Sequence, residues 1–298
     1  MTDDLGHLSD QARHALELPL EERILYVQKR RWIGYPKAKE ILDRLEALVV
    51  QPKTSRMPNL LIVARTNNGK THLMNQFLKA HPADDNPEGE AIKVPVLYVE
   101  APPVPEEVRF YEAILDSLFV AHKTTHRAND KFRQVLAVLE RIQPKILAVD
   151  ELHNILAGPP TKQRQFLNVL KTLGNLLQIP IVGLGTEDAV RVIQSDPQLG
   201  NRFEPVVLPR WELNSDYLRL LSSFERIVPL RKPSGLNQRD IALRILALSE
   251  GTIGEISMLL NRAAVLAIRS GSETIDEKAL VGCGYIPPSK RKAAISQV

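Results

Sequence analysis

Residues 60–78 read "LLIVARTNNGKTHLMNQFL", and most of the architecture can be worked out from them. An apolar, β-branched run passes into Asn-Asn-Gly-Lys-Thr and then into a helix-forming segment. That is the strand–loop–helix order of a phosphate-binding loop, G-x-x-x-x-G-K-[ST]. Gly69 leaves the backbone open where a Cβ would block a phosphate. Asn67 and Asn68 occupy the tight part of the loop, and asparagine accepts left-handed backbone angles. Loop N–H groups and the helix N-terminus then cradle the phosphates of a nucleotide. Lys70 reaches the β and γ phosphates and the Thr71 hydroxyl ligates Mg²⁺. One position departs from the pattern: Ala64 stands where the first glycine is expected, at the strand exit and away from the closest phosphate approach.

Similar short runs follow: "VPVLYVEA", "KILAVDE" and "IPIVGLGT" alternate with helical stretches such as "EVRFYEAILDSLFVAH" and "QRQFLNVLKTLGNLL". Strands alternating with helices predict an α/β fold with a parallel sheet covered on both faces. Before it, residues 1–53 have apolar positions at helical spacing in "LPLEERILYVQKRRWI" and "YPKAKEILDRLEALVV". After "LPRW" the texture becomes that of short amphipathic helices. The reading is a helical N-terminal extension (1–53), an α/β base (54–212), a helical lid (213–285) and a basic tail (286–298).

The run "KILAVDEL" ends a strand with two acids. Beside a phosphate loop, Asp150 suits the metal, usually through water. Glu151 suits a base that orients and deprotonates the attacking water. Thr186 ends another strand, where it either senses the γ-phosphate or caps the helix "EDAVRVIQ"; the two readings stand even. Arg202 and Arg210 follow, and any single arginine is more commonly a surface or salt-bridging residue. His153, two residues beyond Glu151, is read as a structural neighbour rather than a base.

The bulk numbers set limits. The chain has 298 residues, 44% hydrophobic and 25% charged, with a net charge of +4. That balance permits nucleic-acid contact without establishing it, since clustering matters more than the sum. One cysteine, Cys283, leaves neither an intrachain disulfide nor a cysteine-based zinc site. The acidic, polar "MTDDLGHLSD" is no signal peptide, and no apolar run approaches the roughly 20 residues of a membrane span. The expected location is the cytoplasm.

Taken together, "ARTNNGKT", "ILAVDE", "GLGT" and "NRF" with a helical lid resemble the AAA+ ATPases. The stretches "RWIGYPKAKEILDRLEALV", "LYVEAPPVPEEVRFYEAIL", "DELHNILAG", "RFEPVVLPRW" and "SEGTIGEISMLLNRAA" resemble, more narrowly, the TniB family of transposition ATPases related to the TnsC proteins. This resemblance covers about residues 25–285. It implies ATP and Mg²⁺ as ligands of Lys70 and Thr71, with Asp150 on the metal side. Glu151 becomes the base, Thr186 the first sensor and Arg202 an arginine finger acting on the adjacent subunit. Ile33, Gly34 and Tyr35 resemble the segment that borders the adenine.

The same resemblance implies a bacterial, DNA-associated homo-oligomer, ring or filament, that assembles on double-stranded DNA with ATP. It would recruit a DDE transposase of the TniA type, work with a target-selection protein of the TniQ type, and be dismantled by hydrolysis. Gly254 stands where many AAA+ lids carry a sensor arginine, which implies slow hydrolysis or a lid closed by other contacts. The alternatives are another DNA-associated AAA+ loader or remodeller, and a weakly hydrolysing nucleotide-dependent scaffold.

Contacts to DNA would be to phosphates. The basic candidates are Arg109, Lys123, Arg127 and Lys131, each as readily part of a solvated helix face. The cluster Lys29, Arg30, Arg31 and Trp32 suits packing more than base stacking, with Trp32 at a helical apolar position. The tail basics Lys290, Arg291 and Lys292 suit a mobile solubilising tail by default.

Overall fold

The computed structural model describes residues 5–295, without the side chains of 292–295. The chain forms two compact units. One is Lys37–Pro209; the other joins the chain up to Pro36 to the chain from Arg210 onward.

The first unit is built on five parallel strands. They are β1 (Asn59–Ala64), β2 (Val96–Glu100), β3 (Ile146–Asp150), β4 (Ile181–Gly185) and β5 (Phe203–Leu208). Their order in the sheet is β2-β3-β4-β1-β5. The strands are apolar because the interior ones are covered on both faces: every residue of β1, β3 and β4 is buried. The covering helices include α4 (Lys70–Ala80), α5 (Glu107–Ser117), α6 (Ala128–Ile142), α7 (Pro160–Leu177) and α8 (Glu187–Gln194), with a 3-10 turn at Leu152–Ala157. Leu147, Val149, Phe166 and Leu170 are fully buried in this core. Each side chain of that size contributes about 1.5–3 kcal/mol by leaving water.

β5 escaped the strand pattern read from sequence because Pro205 interrupts it. Proline lacks a ladder N–H and is confined to positions such as an edge, which is where β5 lies. Phe203, Val206 and Leu208 are buried while Glu204, Pro205 and Val207 are exposed, as suits an edge strand.

The second unit is helical: α1 (Asp10–Ala15), α2 (Leu20–Gln28), α10 (Ser215–Ile227), α11 (Arg239–Ser249), α12 (Ile253–Ser270), α13 (Glu277–Gly282) and α14 (Pro288–Ile295). The remaining helices, α3 (Pro36–Val49) and α9 (Pro197–Gly200), precede β1 and β5. Ile24 and Val27 of α2 share one core with Tyr217, Leu221, Leu259 and Ala263. Arg23, only 6% exposed, pairs with Glu273 and donates through Nε to Pro229 O at 2.9 Å.

Two expectations need correction here. α2 stops at Gln28, so Trp32 is not on a helix. The Arg31 guanidinium folds back over the Tyr26 ring, 3.8 Å from its centroid, and donates to the Tyr26 carbonyl. That gives a carbonyl of the last helical turn a second donor, beside Lys29 N at 3.4 Å. The C-terminal segment is also no bare tail within the described residues: it forms α14, and Arg291 binds Glu255. Glu255 is 4% exposed and also accepts from Tyr285 Oη at 2.7 Å. The side chain of Lys292 and residues 296–298 of the predicted tail lie outside the described residues, as do residues 1–4 of the acidic N-terminus.

Among the described residues no single helix is long and apolar enough to cross a membrane.

Candidate functional site

Parallel strands place all their C-terminal ends on one edge of the sheet, and the loop residues 67–71, Asp150, Glu151 and Thr186 follow or end strands there. Ala64 closes β1 and is itself buried strand, which is why a Cβ is accommodated at the first-glycine position. The chain then turns through Asn67 at φ 60° and Gly69 at φ 89°, both left-handed. Gly69 caps α4, whose first residue is Lys70. Lys70 is 7% exposed, and its Nζ donates to Ala64 O at 3.1 Å. Burial draws its pKa below the usual lysine range, while the negative charges of Glu151 and Asp150 pull the other way.

Asn68 does more than tolerate a turn. Its buried side chain donates to Leu208 O at 2.9 Å and to Pro209 O at 3.0 Å, tying the loop to the end of β5. This amide positions the loop; what it offers a phosphate is backbone.

The acidic pair lies at the tip of β3. Asp150 is 3% exposed. Its Oδ1 accepts from Glu151 N at 2.7 Å, and its Oδ2 accepts from Thr71 Oγ1 at 3.4 Å. A third donor to Asp150 is the Tyr98 hydroxyl of β2, which sequence reasoning missed. Burial, then the bond to Asp150, raises the Tyr98 pKa and keeps it a proton donor. The signal was faint: Tyr98 faces Ala148 across the ladder, and only the pairing of β2 with β3 brings it near. Glu151 sits in left-handed backbone, φ 52° and ψ 36°, and its carboxylate lies 3.2 Å from His153 Nε2.

Thr186 follows β4, which runs between β1 and β3, so its position falls between the Lys70 loop and the acids. It occupies the N-cap position of α8, yet its side chain makes no capping hydrogen bond. The hydroxyl is therefore not used in capping α8.

Arg202 is at the other end of the sheet. Its carbonyl accepts from Asn59 N at 2.9 Å, at the start of β1, and its Nη1 donates to Asn175 Oδ1 at 2.8 Å. The six residues of β1 put it on the order of 20 Å from the phosphate loop of its own chain.

Ile33, Gly34 and Tyr35 belong to the helical unit. Tyr35 packs edge-on against Trp211 at 4.9 Å, and burial raises its pKa to about 12. Of the basic candidates, Lys123 and Arg127 are exposed and Arg109 is exposed but paired with Glu106 at 2.7 Å. Lys131 must be corrected: it is 0% exposed and ion-paired to Glu112, so its ammonium cannot meet a DNA phosphate in this fold.

The donor set fits a Mg²⁺–nucleotide. Lys70 stands at the N-terminus of α4 and Thr71 beside it meets Asp150, and Mg²⁺ commonly takes one or two protein oxygens while phosphates and water supply the rest. Among the described residues no group of three or more His, Cys, Asp or Glu forms an all-protein cage.

Known structures share the fold. The fold resembles that of ORC1 from Aeropyrum pernix solved in complex with DNA, at TM-score 0.58 and 17% identity, covering 95% of this chain and 69% of that one. ORC2 of the same organism, in ADPNP–ADP complexes, aligns at TM-score 0.59 and 15% identity over 90% of this chain and 73% of that one. Cdc6p from Pyrobaculum aerophilum aligns at 0.61 and 16%, over 86% and 69%. No curated protein sequence matches the chain. What the solved structures share with this chain is the AAA+ fold, a five-stranded parallel sheet flanked by helices. The family described as bacterial TniB protein matches residues 23–213, and the chain belongs to that family.

Proposed function

We propose that this protein is an ATP hydrolase whose nucleotide state switches its assembly on double-stranded DNA during transposition. The observation that carries the reading is the meeting of Thr71 and Asp150 at 3.4 Å beside a buried Lys70 at a helix N-terminus. Bound ATP with Mg²⁺ supplies the phosphoryl group and the charge to which these residues respond. Lys70 and the amides of Asn67, Asn68 and Gly69 hold the phosphates, and Thr71 and Asp150 hold the metal. Glu151 takes the proton of the attacking water. Thr186 reads the γ-phosphate from between the two strands that carry the other groups.

Arg202 stabilises the charge that develops in a neighbouring subunit's site, so the active form is a homo-oligomer. What supports this is its position at the far edge of its own sheet. Ile33, Gly34 and Tyr35 border the adenine. Membership of the TniB family supports the rest: contact with DNA phosphates, engagement of a TniA-type transposase and a TniQ-type selector, and dismantling on hydrolysis. Exposed Lys123 and Arg127, with Arg109, are the DNA-facing candidates that remain. Gly254, in the first turn of α12, offers no side chain where an AAA+ lid commonly carries an arginine, so turnover is slow.

The test is ATP turnover with and without double-stranded DNA. Wild type turns over slowly and Glu151→Gln loses at least about 100-fold. Turnover unaffected by Glu151→Gln and by Lys70→Ala overturns the reading.

A further inference from the structure

The turn after β3 has a feature that the assigned roles leave unused. Glu151 leaves the strand in left-handed backbone, and the 3-10 turn that follows brings His153 back beside it, Nε2 to Oε2 at 3.2 Å. The flanking Leu152 and Ile155 are buried in the core, which anchors the turn. On its other side the ring lies against the end of β4. A Cβ added at Gly185 would lie 3.5 Å from His153 Nδ1 and 3.5 Å from its backbone N, and 2.6 Å from Ala189 Cβ. Gly185 is thus the residue that lets the histidine and α8 close onto the strand, and the next residue is Thr186. His153 Nδ1 is buried with no hydrogen-bond partner among the described residues, so packing rather than bonding sets that side of the ring.

We infer that His153 is a positioning residue. It holds one oxygen of the Glu151 carboxylate, leaving the other for the water, and it links the carboxylate to the Gly185–Thr186 end of β4. The inference rests on the reading of Glu151 as the base. Holding such a group in a productive orientation is the role by which supporting residues gain their effect, commonly worth about 10- to 100-fold in activity.

The experiment compares His153→Phe, which keeps a ring against Gly185 but removes the nitrogen beside Glu151, with His153→Gln, which keeps a donor. Turnover and ATP affinity are measured separately, in the wild-type and Glu151→Gln backgrounds, with melting temperature as the folding control. His153→Phe is expected to lower kcat about tenfold. ATP affinity should stay within about twofold, and His153→Gln should recover most of the rate. In the Glu151→Gln background His153→Phe should cost nothing further, because the two residues act as a unit. A wild-type rate for His153→Phe overturns the inference, as does a loss carried by affinity, or the same fold loss in both backgrounds. If Glu151→Gln is inactive while His153→Phe is not impaired, this inference alone fails. If Glu151→Gln turns over normally, the base assignment fails first and this falls with it.

Discussion

Thr71 Oγ1 lies 3.4 Å from Asp150 Oδ2, so the loop after β1 meets the tip of β3 even though β4 runs between them. The pair is what a divalent cation would share. Thr71→Ala should raise the Mg²⁺ concentration needed for half-maximal turnover by about 10- to 100-fold. The check is a Mg²⁺ titration of turnover, against a parallel measurement of nucleotide affinity in EDTA, which should barely move.

Asn68 spends its amide on two backbone carbonyls, Leu208 O and Pro209 O. Asn68→Ala removes the donor they share and should cost about 1–3 kcal/mol of stability. Asn68→Asp should cost more, because a carboxylate would face two carbonyl oxygens. Chemical denaturation checks both. Nucleotide affinity should fall with them, although neither variant alters a group that touches the phosphates through its side chain.

Arg202 is too far from its own loop to act there, so the proposed finger role requires a neighbouring subunit. Arg202→Ala should bind ATP normally yet lose turnover by about 10³-fold or more. Mixing it with inactive Glu151→Gln protein should restore measurable turnover, because some interfaces then pair an intact arginine with an intact base. No recovery on mixing, with assembly intact, would contradict the role in trans.

The ion pair between Arg23 and Glu273 gives the helical unit an acid dependence. Their side chains are 7% and 14% exposed. Burial alone would raise the Glu273 pKa, but the bonds from Arg23 and from the Arg231 N–H outweigh it and leave the pKa below 4.5. A carboxylate whose folded pKa is depressed contributes stability above its unfolded pKa and loses it as pH falls through the folded one. Melting temperature should therefore drop on acidification below about pH 4.5, and Glu273→Gln should be less stable at neutral pH with a flatter profile. Arg23→Ala should cost about 3–5 kcal/mol at pH 7 by leaving a largely buried carboxylate unpaired.

Much of this was open to a reader of the sequence, for a physical reason in each case. The phosphate loop and β1, β3 and β4 showed because buried parallel strands must be apolar throughout and the loop must carry Gly69 and Lys70. Lys131 could have been placed: with Val135, Leu139 and Ile142 it lies on the helical spacing of the buried face of α6, which a charge count ignores. Pro205 hid β5. Tyr98 and the side-chain role of Asn68 depend on which strands are neighbours, and periodicity does not report that. Nor does an amphipathic face name its partner, so nothing in Ile24 or Val27 said that α2 packs with helices some 200 residues later in the chain.

The most direct test of the central claim is assembly on plain double-stranded DNA, followed by sedimentation and negative-stain imaging. It compares ATP, a non-hydrolysable analogue, ADP and no nucleotide, with Lys70→Ala alongside. Ordered assemblies with ATP or the analogue that vanish with ADP, without nucleotide, or in Lys70→Ala are the predicted result. Assembly that is equal in all conditions, or no association with DNA in any of them, would contradict the account.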